Sequence, residues 1–266
     1  MSGNKGVRRS DESSEVLLRG VHVLVTGGTS GLGLAMGRAL VAAGAQVALT
    51  GRDVRRAEQV ASDLGPGAVG LGLDVRDEAS VTRGAAQARD LLGGLDVLVN
   101  NAGIGMRTVN PRFLEEPHPF WEVTPDGWRD VIATNFTGYF LMAREVAPWL
   151  VAQGSGRIVN ISLNYETMRR RGFVPYGPSR AGAESLSRIM AADLAGTGVT
   201  VNILAPGGAT ATGMIPEHLP PQARTGLIDP AVMGSPIVYL ASPAAADVHD
   251  ERIVATEFEQ WRRARA

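Results

Sequence analysis

The sequence predicts a single α/β domain: a mostly parallel, doubly wound sheet of seven strands with helices on both faces. Three observations predict it. Short β-branched runs alternate with amphipathic segments of helical length, the pattern of crossover connections between parallel strands. The runs are apolar throughout, as strands covered on both faces must be. A glycine-rich turn at 26–33 joins the first run to the first helical segment.

In chain order, strands are expected at 22–26, 46–50, 68–73, 95–99, 157–161, 199–204 and, as a short edge, 252–255. Gly70 and Gly72 weaken the third. Helices are expected at 32–43, ended by Gly44, and at 53–64 and 77–91. A long helix is expected at 125–150, with Thr124 as N-cap and Pro125 in the first turn. Two more follow at 177–195 and 229–241, the last opened by Pro230. Three prolines and no clean period make 104–124 a loop or broken helix. Residues 207–225, rich in Gly, Pro and Thr, read as a mobile loop. Residues 1–19 are polar and mixed in charge and read as a flexible tail, leaving 20–266 as one domain without linker or repeat.

Composition narrows the function. The chain has 266 residues, 44% hydrophobic and 20% charged, with a net charge of −1, which favours neither nucleic acid nor an anionic membrane. Without cysteine there is no disulfide framework, thiolate nucleophile or cysteine metal cluster. The four histidines are scattered, so no metal is expected. No apolar run has the length of a membrane span, and no signal peptide is visible. A cytoplasmic location is expected.

The odd residues gather at the carboxyl ends of the expected strands, where the crevice of such a sheet lies. In Thr26-Gly-Gly-Thr29-Ser30-Gly31-Leu32-Gly33, glycine at 27 relieves a tight turn. Glycine at 31 admits a diphosphate, and glycine at 33 permits close helix packing. The helix end offers free N–H groups to the anion. No Gly-Lys-Ser/Thr ending follows, so this is not an ATP-type phosphate loop. At the end of the second strand an acid would bind both hydroxyls of an unmodified ribose. Gly51 and Arg52 stand there instead, and the guanidinium fork suits a 2′-phosphate. NADP is therefore preferred. NAD stays open, because Asp53 can either cap the next helix or reach the ribose.

Tyr176 and Arg180 lie four apart at the start of a helix and share a face. A cation beside a phenol favours its ionised form, and a positioned tyrosine can protonate a carbonyl oxygen as hydride reaches the carbon.

Together these motifs resemble the short-chain dehydrogenase/reductase family over residues 20–257. The resemblance implies a Rossmann-type fold, nicotinamide chemistry on a small carbonyl or alcohol, and a homotetramer or homodimer. It assigns the adenine side to Asp74 and Val75, and the strand-end motif to Asn100, Asn101, Ala102 and Gly103. Asn135 becomes a structural and proton-relay asparagine. The turn beside the nicotinamide falls to Pro206 and Gly207, with Thr210 or Thr212 on the amide. Residues 207–225 would be the substrate lid.

Two positions depart from the family pattern. Leu163 stands where the family has its catalytic serine, and leucine cannot donate. Ser162 replaces that donor only if the strand bends, since neighbours on a strand point opposite ways; Asn164 offers an amide nearby. Arg180 stands where the family has lysine, keeping the charge but changing the geometry. A Ser-Tyr-Arg set is similar to that of halohydrin dehalogenases, but Leu163 and the intact glycine turn are not. Isomerisation, dehydration or cofactor binding without turnover are further alternatives. Arg169, Arg170 and Arg171 would lie at the pocket rim, either steering an acidic substrate or as a solvated charge run. Phe113, Phe120, Trp121, Phe173 and Met214 are candidates for an apolar wall.

Overall fold

A computed structural model describes residues 17–265 except 217, 219 and 220. The apolar runs form strands β1 (His22–Val25), β2 (Gln46–Gly51), β3 (Ala68–Gly72), β4 (Val97–Asn100), β5 (Gly156–Ile161), β6 (Val199–Ala205) and β7 (Arg252–Val254). They make one seven-stranded sheet in the order β3-β2-β1-β4-β5-β6-β7. Every pairing is parallel.

Ten α-helices occur among the described residues: α1 (Gly31–Ala42), α2 (Val54–Leu64), α3 (Glu78–Leu92), α4 (Pro125–Ile132), α5 (Gly138–Gln153), α6 (Tyr165–Met168), α7 (Tyr176–Leu194), α8 (Pro221–Arg224), α9 (Gly234–Ala241) and α10 (Phe258–Arg263). The two-residue side-chain period of the strands sorts the core into two layers. Val23, Val25, Val97 and Val99 pack with Met36 and Leu40 of α1, Ile237 and Leu240 of α9, and Phe258. Leu24 and Leu98, one residue out of phase, pack with Val81 and Ala88 of α3, Met142 and Val146 of α5, and Ala191 of α7. Winding reverses between β1 and β4, so the crevice opens beyond their carboxyl ends.

Several boundaries differ from expectation. Residues 1–16 of the expected tail lie outside the described residues. Leu18, also placed in that tail, is fully buried in the α1 layer, and its N–H donates to Ala43. The helix expected at 125–150 runs to Gln153 and is interrupted by a π turn, Ala133–Thr137. The segment expected at 229–241 begins with a 3₁₀ turn, Pro230–Met233, before α9. Short helices α6, α8 and α10 were not expected. The 104–124 stretch holds two 3₁₀ turns, Met106–Thr108 and Phe120–Glu122. Within it, Met106 and Phe113 form a small separate core with Phe173.

Candidate active site

The glycine turn is built as its spacing predicts. Gly27 (φ 64°) and Gly31 (φ 54°) have left-handed backbones. A Cβ on Gly27 would lie 2.8 Å from Cα of Ala102, so this glycine lets β1 and β4 close together. Gly33 sits behind the turn. A Cβ there would overlap the carbonyl oxygen of Gly27 and approach the Asn101 amide to 2.5 Å. Ser30, at the N-cap of α1, makes no side-chain cap, and the first turn of α1 carries no acid. The amides of the first turn of α1 therefore lie at one end of the crevice with no side-chain partner among the described residues. Thr26 and Asn101 clamp the base of the turn. Thr26 Oγ1 accepts from the Asn101 and Ala102 amides, and Asn101 Nδ2 donates to Thr26 O and Gly27 O.

A single cleft of about 1220 Å³ runs from this turn across the strand ends. Gly27, Thr29, Ser30, Gly31, Leu32, Arg52, Asp74, Val75, Asn101, Ala102 and Gly103 line one part of it. Ser162, Leu163, Asn164, Tyr176, Arg180, Pro206, Thr210 and Thr212 line the rest. Gly207 turns away at φ 103° with its α-carbon against Thr256. Asn135 is fully buried behind the wall.

At the β2 end, Arg52 and Arg56 both face the cleft. Asp53 caps α2, accepting from the Arg56 amide at 3.2 Å. Asp74 accepts from Arg76 at 2.7 Å. Those bonds hold its carboxyl below the ordinary value despite partial burial. Of the two local acids, one is a helix cap and the other already has its cation.

At the β5 end, Tyr176 opens α7, and its hydroxyl reaches Met214 Sδ at 3.8 Å. Arg180, one turn on, is only 3% exposed. Its Nη1 donates to the Tyr139 hydroxyl at 2.5 Å and to Ile161 O at 3.0 Å. Its guanidinium carbon lies 5.7 Å from the centre of the Tyr176 ring. Burial alone would lower Arg180, but Tyr139 and Tyr176 hold it above the ordinary guanidinium value, so it stays charged. Tyr139 was not singled out in the sequence. Its spacing of four from Asn135 was the available signal.

The two candidate replacements for the missing serine behave differently. Ser162 donates to Glu184 Oε1 at 2.6 Å, and Glu184 is paired with Arg252 at 3.0 Å. Asn164 Oδ1 caps α6, accepting from the Thr167 amide at 3.1 Å. Its Nδ2 has no partner among the described residues. Asn135 bonds both backbone groups of Ile104 and donates to Ser179 Oγ at 3.3 Å. Phe113, Phe173 and Met214 line or back the cleft, and Arg170 lines it with its guanidinium 5.1 Å from the Phe173 ring. Phe120 and Trp121 are exposed, away from it. No group of acids and histidines suited to a metal occurs among the described residues, and no described helix is long and apolar enough to cross a membrane.

A doubly wound parallel sheet, an uncapped glycine turn at its switch point and a tyrosine–cation pair in the same cleft define a dinucleotide-dependent oxidoreductase class. The model of the short chain dehydrogenase family matches residues 21–222, and the chain belongs to that family. It is 32% identical over 251 residues to a 3-oxoacyl-(acyl-carrier-protein) reductase of Vibrio harveyi, covering 89% of this chain and 96% of that one. It is 35% identical over 246 residues to a galactitol 2-dehydrogenase (L-tagatose-forming) of Cereibacter sphaeroides, covering 87% and 91%. The structure of a 3-ketoacyl-(acyl-carrier-protein) reductase from Brucella melitensis complexed with NADH superposes with a TM-score of 0.79 at 26% identity, covering 89% and 96%. Nicotinamide-dependent interconversion of carbonyl and alcohol is the chemistry general to this family.

Proposed function

We propose that the protein is an NADP-preferring reductase or dehydrogenase of a small carbonyl or alcohol, with Tyr176 as its acid–base residue. The observation that carries this reading is the placement of the Tyr176 hydroxyl and the free α1 amides on one continuous cleft. That cleft fits the cofactor. The amides of 31–33 would hold its diphosphate, Arg52 and Arg56 a 2′-phosphate, and Val75 and Ala102 the adenine side. Pro206, Thr210 and Thr212 would line the nicotinamide end. When bound, the nicotinamide supplies or accepts the hydride.

The chain's own residues do the rest. Tyr176 gives its hydroxyl proton to the carbonyl oxygen in reduction and takes it back in oxidation. Arg180 places a buried positive charge 5.7 Å from the centre of that phenol ring. Ser162 has committed its hydrogen to Glu184, so Asn164 Nδ2 is the donor left to steady the carbonyl oxygen beside Leu163. Asn135 acts by fixing Ile104 and Ser179: both of its amide hydrogens are donated there and its oxygen accepts from the Ile104 amide. Trp128, Phe140 and Ile189 are exposed on α4, α5 and α7; a second copy of the chain would cover them in a dimer or tetramer.

The test is cofactor titration by tryptophan quenching, then a carbonyl and alcohol panel followed at the nicotinamide absorbance. Tyr176→Phe should keep cofactor affinity within about twofold and lower kcat by about 10²–10⁴-fold, the range of positioned acid–base groups. Full turnover in that variant would remove the assignment. Tight binding of NADPH with no turnover on any member of the panel would favour a non-redox role.

A further inference from the structure

Arg180 reaches a position no surface arginine takes. Its guanidinium is buried between two phenol rings, 5.3 Å from the centre of Tyr139 and 5.7 Å from that of Tyr176, and no carboxylate among the described residues pairs with it. A buried cation without a carboxylate must be held by hydrogen bonds, or it swings to solvent. Here Nη1 has two acceptors, the Tyr139 hydroxyl and Ile161 O. Nη2 lies against bare Gly103, in the space a Cβ would fill.

Tyr139 is built for this task. It is 1% exposed, and burial pushes its phenol up against the pull of Arg180, so it stays protonated. A protonated hydroxyl can donate once and accept. It donates to Ile161 O at 3.1 Å and accepts from Arg180. Ile161 O thus receives from both partners and closes a three-membered arrangement at the end of β5. The π turn at Ala133–Thr137 precedes it directly. The extra residue of a π turn re-aims the residues around it: Asn135 meets Ile104 in the loop after β4, and Tyr139 meets Ile161 at the end of β5.

We propose that Tyr139 is a positioning residue for Arg180: its hydroxyl fixes the guanidinium so that the second amino group faces the nicotinamide-ribose end of the cleft and the charge stays behind Tyr176. This rests on the reading above, in which cofactor and substrate meet at Tyr176. It adds a residue specific to an arginine at position 180, whose planar fork needs a second acceptor that a compact ammonium does not.

The experiment uses the full chain with Tyr139→Phe, Arg180→Lys and the double variant. Binding of NADPH is compared with that of 2′,5′-ADP, which lacks the nicotinamide ribose. Tyr139→Phe should weaken NADPH about fivefold to tenfold, leave 2′,5′-ADP within about twofold, and lower kcat about tenfold, sizes expected for losing one hydrogen bond of ordinary net strength. In the Arg180→Lys background the same change should cost less than about twofold in each. If Tyr139→Phe folds poorly, the double variant should recover its melting temperature, because the planar guanidinium whose donors need the phenol has been replaced by a compact ammonium. Equal losses in both backgrounds, equal losses of NADPH and 2′,5′-ADP, or unchanged NADPH affinity and kcat in Tyr139→Phe would each overturn the proposal. A parent protein that turns over no carbonyl but shows the binding split would keep Tyr139's role and remove the redox reading. A parent that binds neither nucleotide would remove both.

Discussion

On the proposed reading, Leu163 is the residue that most needs an answer, because it puts a hydrocarbon where the family pattern has a serine hydroxyl. Two side chains beside it could compensate, and their partners separate them. Ser162 spends its hydrogen on Glu184, which Arg252 holds in place. Asn164 uses only its oxygen, as a helix cap. Asn164→Asp keeps the acceptor for that cap and removes the donor. It should lower kcat about hundredfold, the cost of one oxyanion donor, with little change in melting temperature, whereas Ser162→Ala should change kcat less than about threefold. Steady-state kinetics on the two variants decide it, and the reverse ranking would return the role to Ser162. Asp74 offers a second residue-level test, through pH. Hydrogen bonds from Arg76 hold its folded carboxyl below the ordinary value. Its contribution to stability is therefore complete above the unfolded carboxyl's pKa of ~3.9. It fades as pH falls through the folded value. Asp74→Asn should lower stability at neutral pH by less than about 1 kcal/mol, since the pair is partly exposed. The gap between parent and variant should close on acidification in melts run across pH. A gap that widens in acid would contradict the pairing.

The β1–α1 turn shows why some elements could be read from the sequence. Its function needs missing side chains at fixed places, and a missing side chain is visible as glycine. Gly33 lets α1 sit on the carbonyl of Gly27 and the amide of Asn101. Gly33→Ala should therefore cost about 1–3 kcal/mol by overpacking and weaken cofactor binding by more than the stability loss predicts, because the clash opens the diphosphate cradle. Thermal melts with cofactor titration would check this, and unchanged affinity would separate Gly33 from the cradle. The α4–α5 segment shows the opposite case. Its apolar spacing reads as one helix, and nothing in that spacing marks the π turn at Ala133–Thr137, which is stabilised by what it reaches: Asn135 bonds Ile104, more than a strand away in sequence. Tyr139 was missed for the same reason. A tyrosine among the apolar residues of a helix reads as core, and its acceptor role exists only because α7 delivers Arg180 from another part of the chain. Ser162 and Asn164 were legible as candidates, but not Glu184, which the tertiary fold brings to Ser162, nor the short helix α6, whose first turn offers the Thr167 amide to Asn164.

At the scale of the molecule, strand number, winding and cleft position followed from the alternation of apolar runs and helical segments, since a parallel sheet has few permitted connections. The edges did not follow. Leu18 joins the core from a polar stretch, and α10 adds Phe258 and Trp261 beside Tyr239 from a segment too short to show a period. The same topology dictates how a ligand should act on the whole chain. The β2 and β3 ends supply Arg52 and Val75, and the β5 and β6 ends supply Tyr176 and Pro206, on either side of the switch point. A dinucleotide laid across it bonds both halves at once, so its binding energy should stabilise the entire cooperative unit. At a hundred times Kd, linkage gives about 2.7 kcal/mol. For a chain of this size that corresponds to a rise in Tm of about 5–10 °C. NADPH should give the larger rise than NADH at equal concentration, because Arg52 and Arg56 lie unopposed by a free acid at the ribose end. Arg52→Ala should bring the two curves together by lowering the NADPH shift and leaving that of NADH. An NADH shift equal to or above that of NADPH in the parent protein would refute the assigned 2′-phosphate contact while leaving the α1 cradle intact, and a shift by neither would refute the cradle itself.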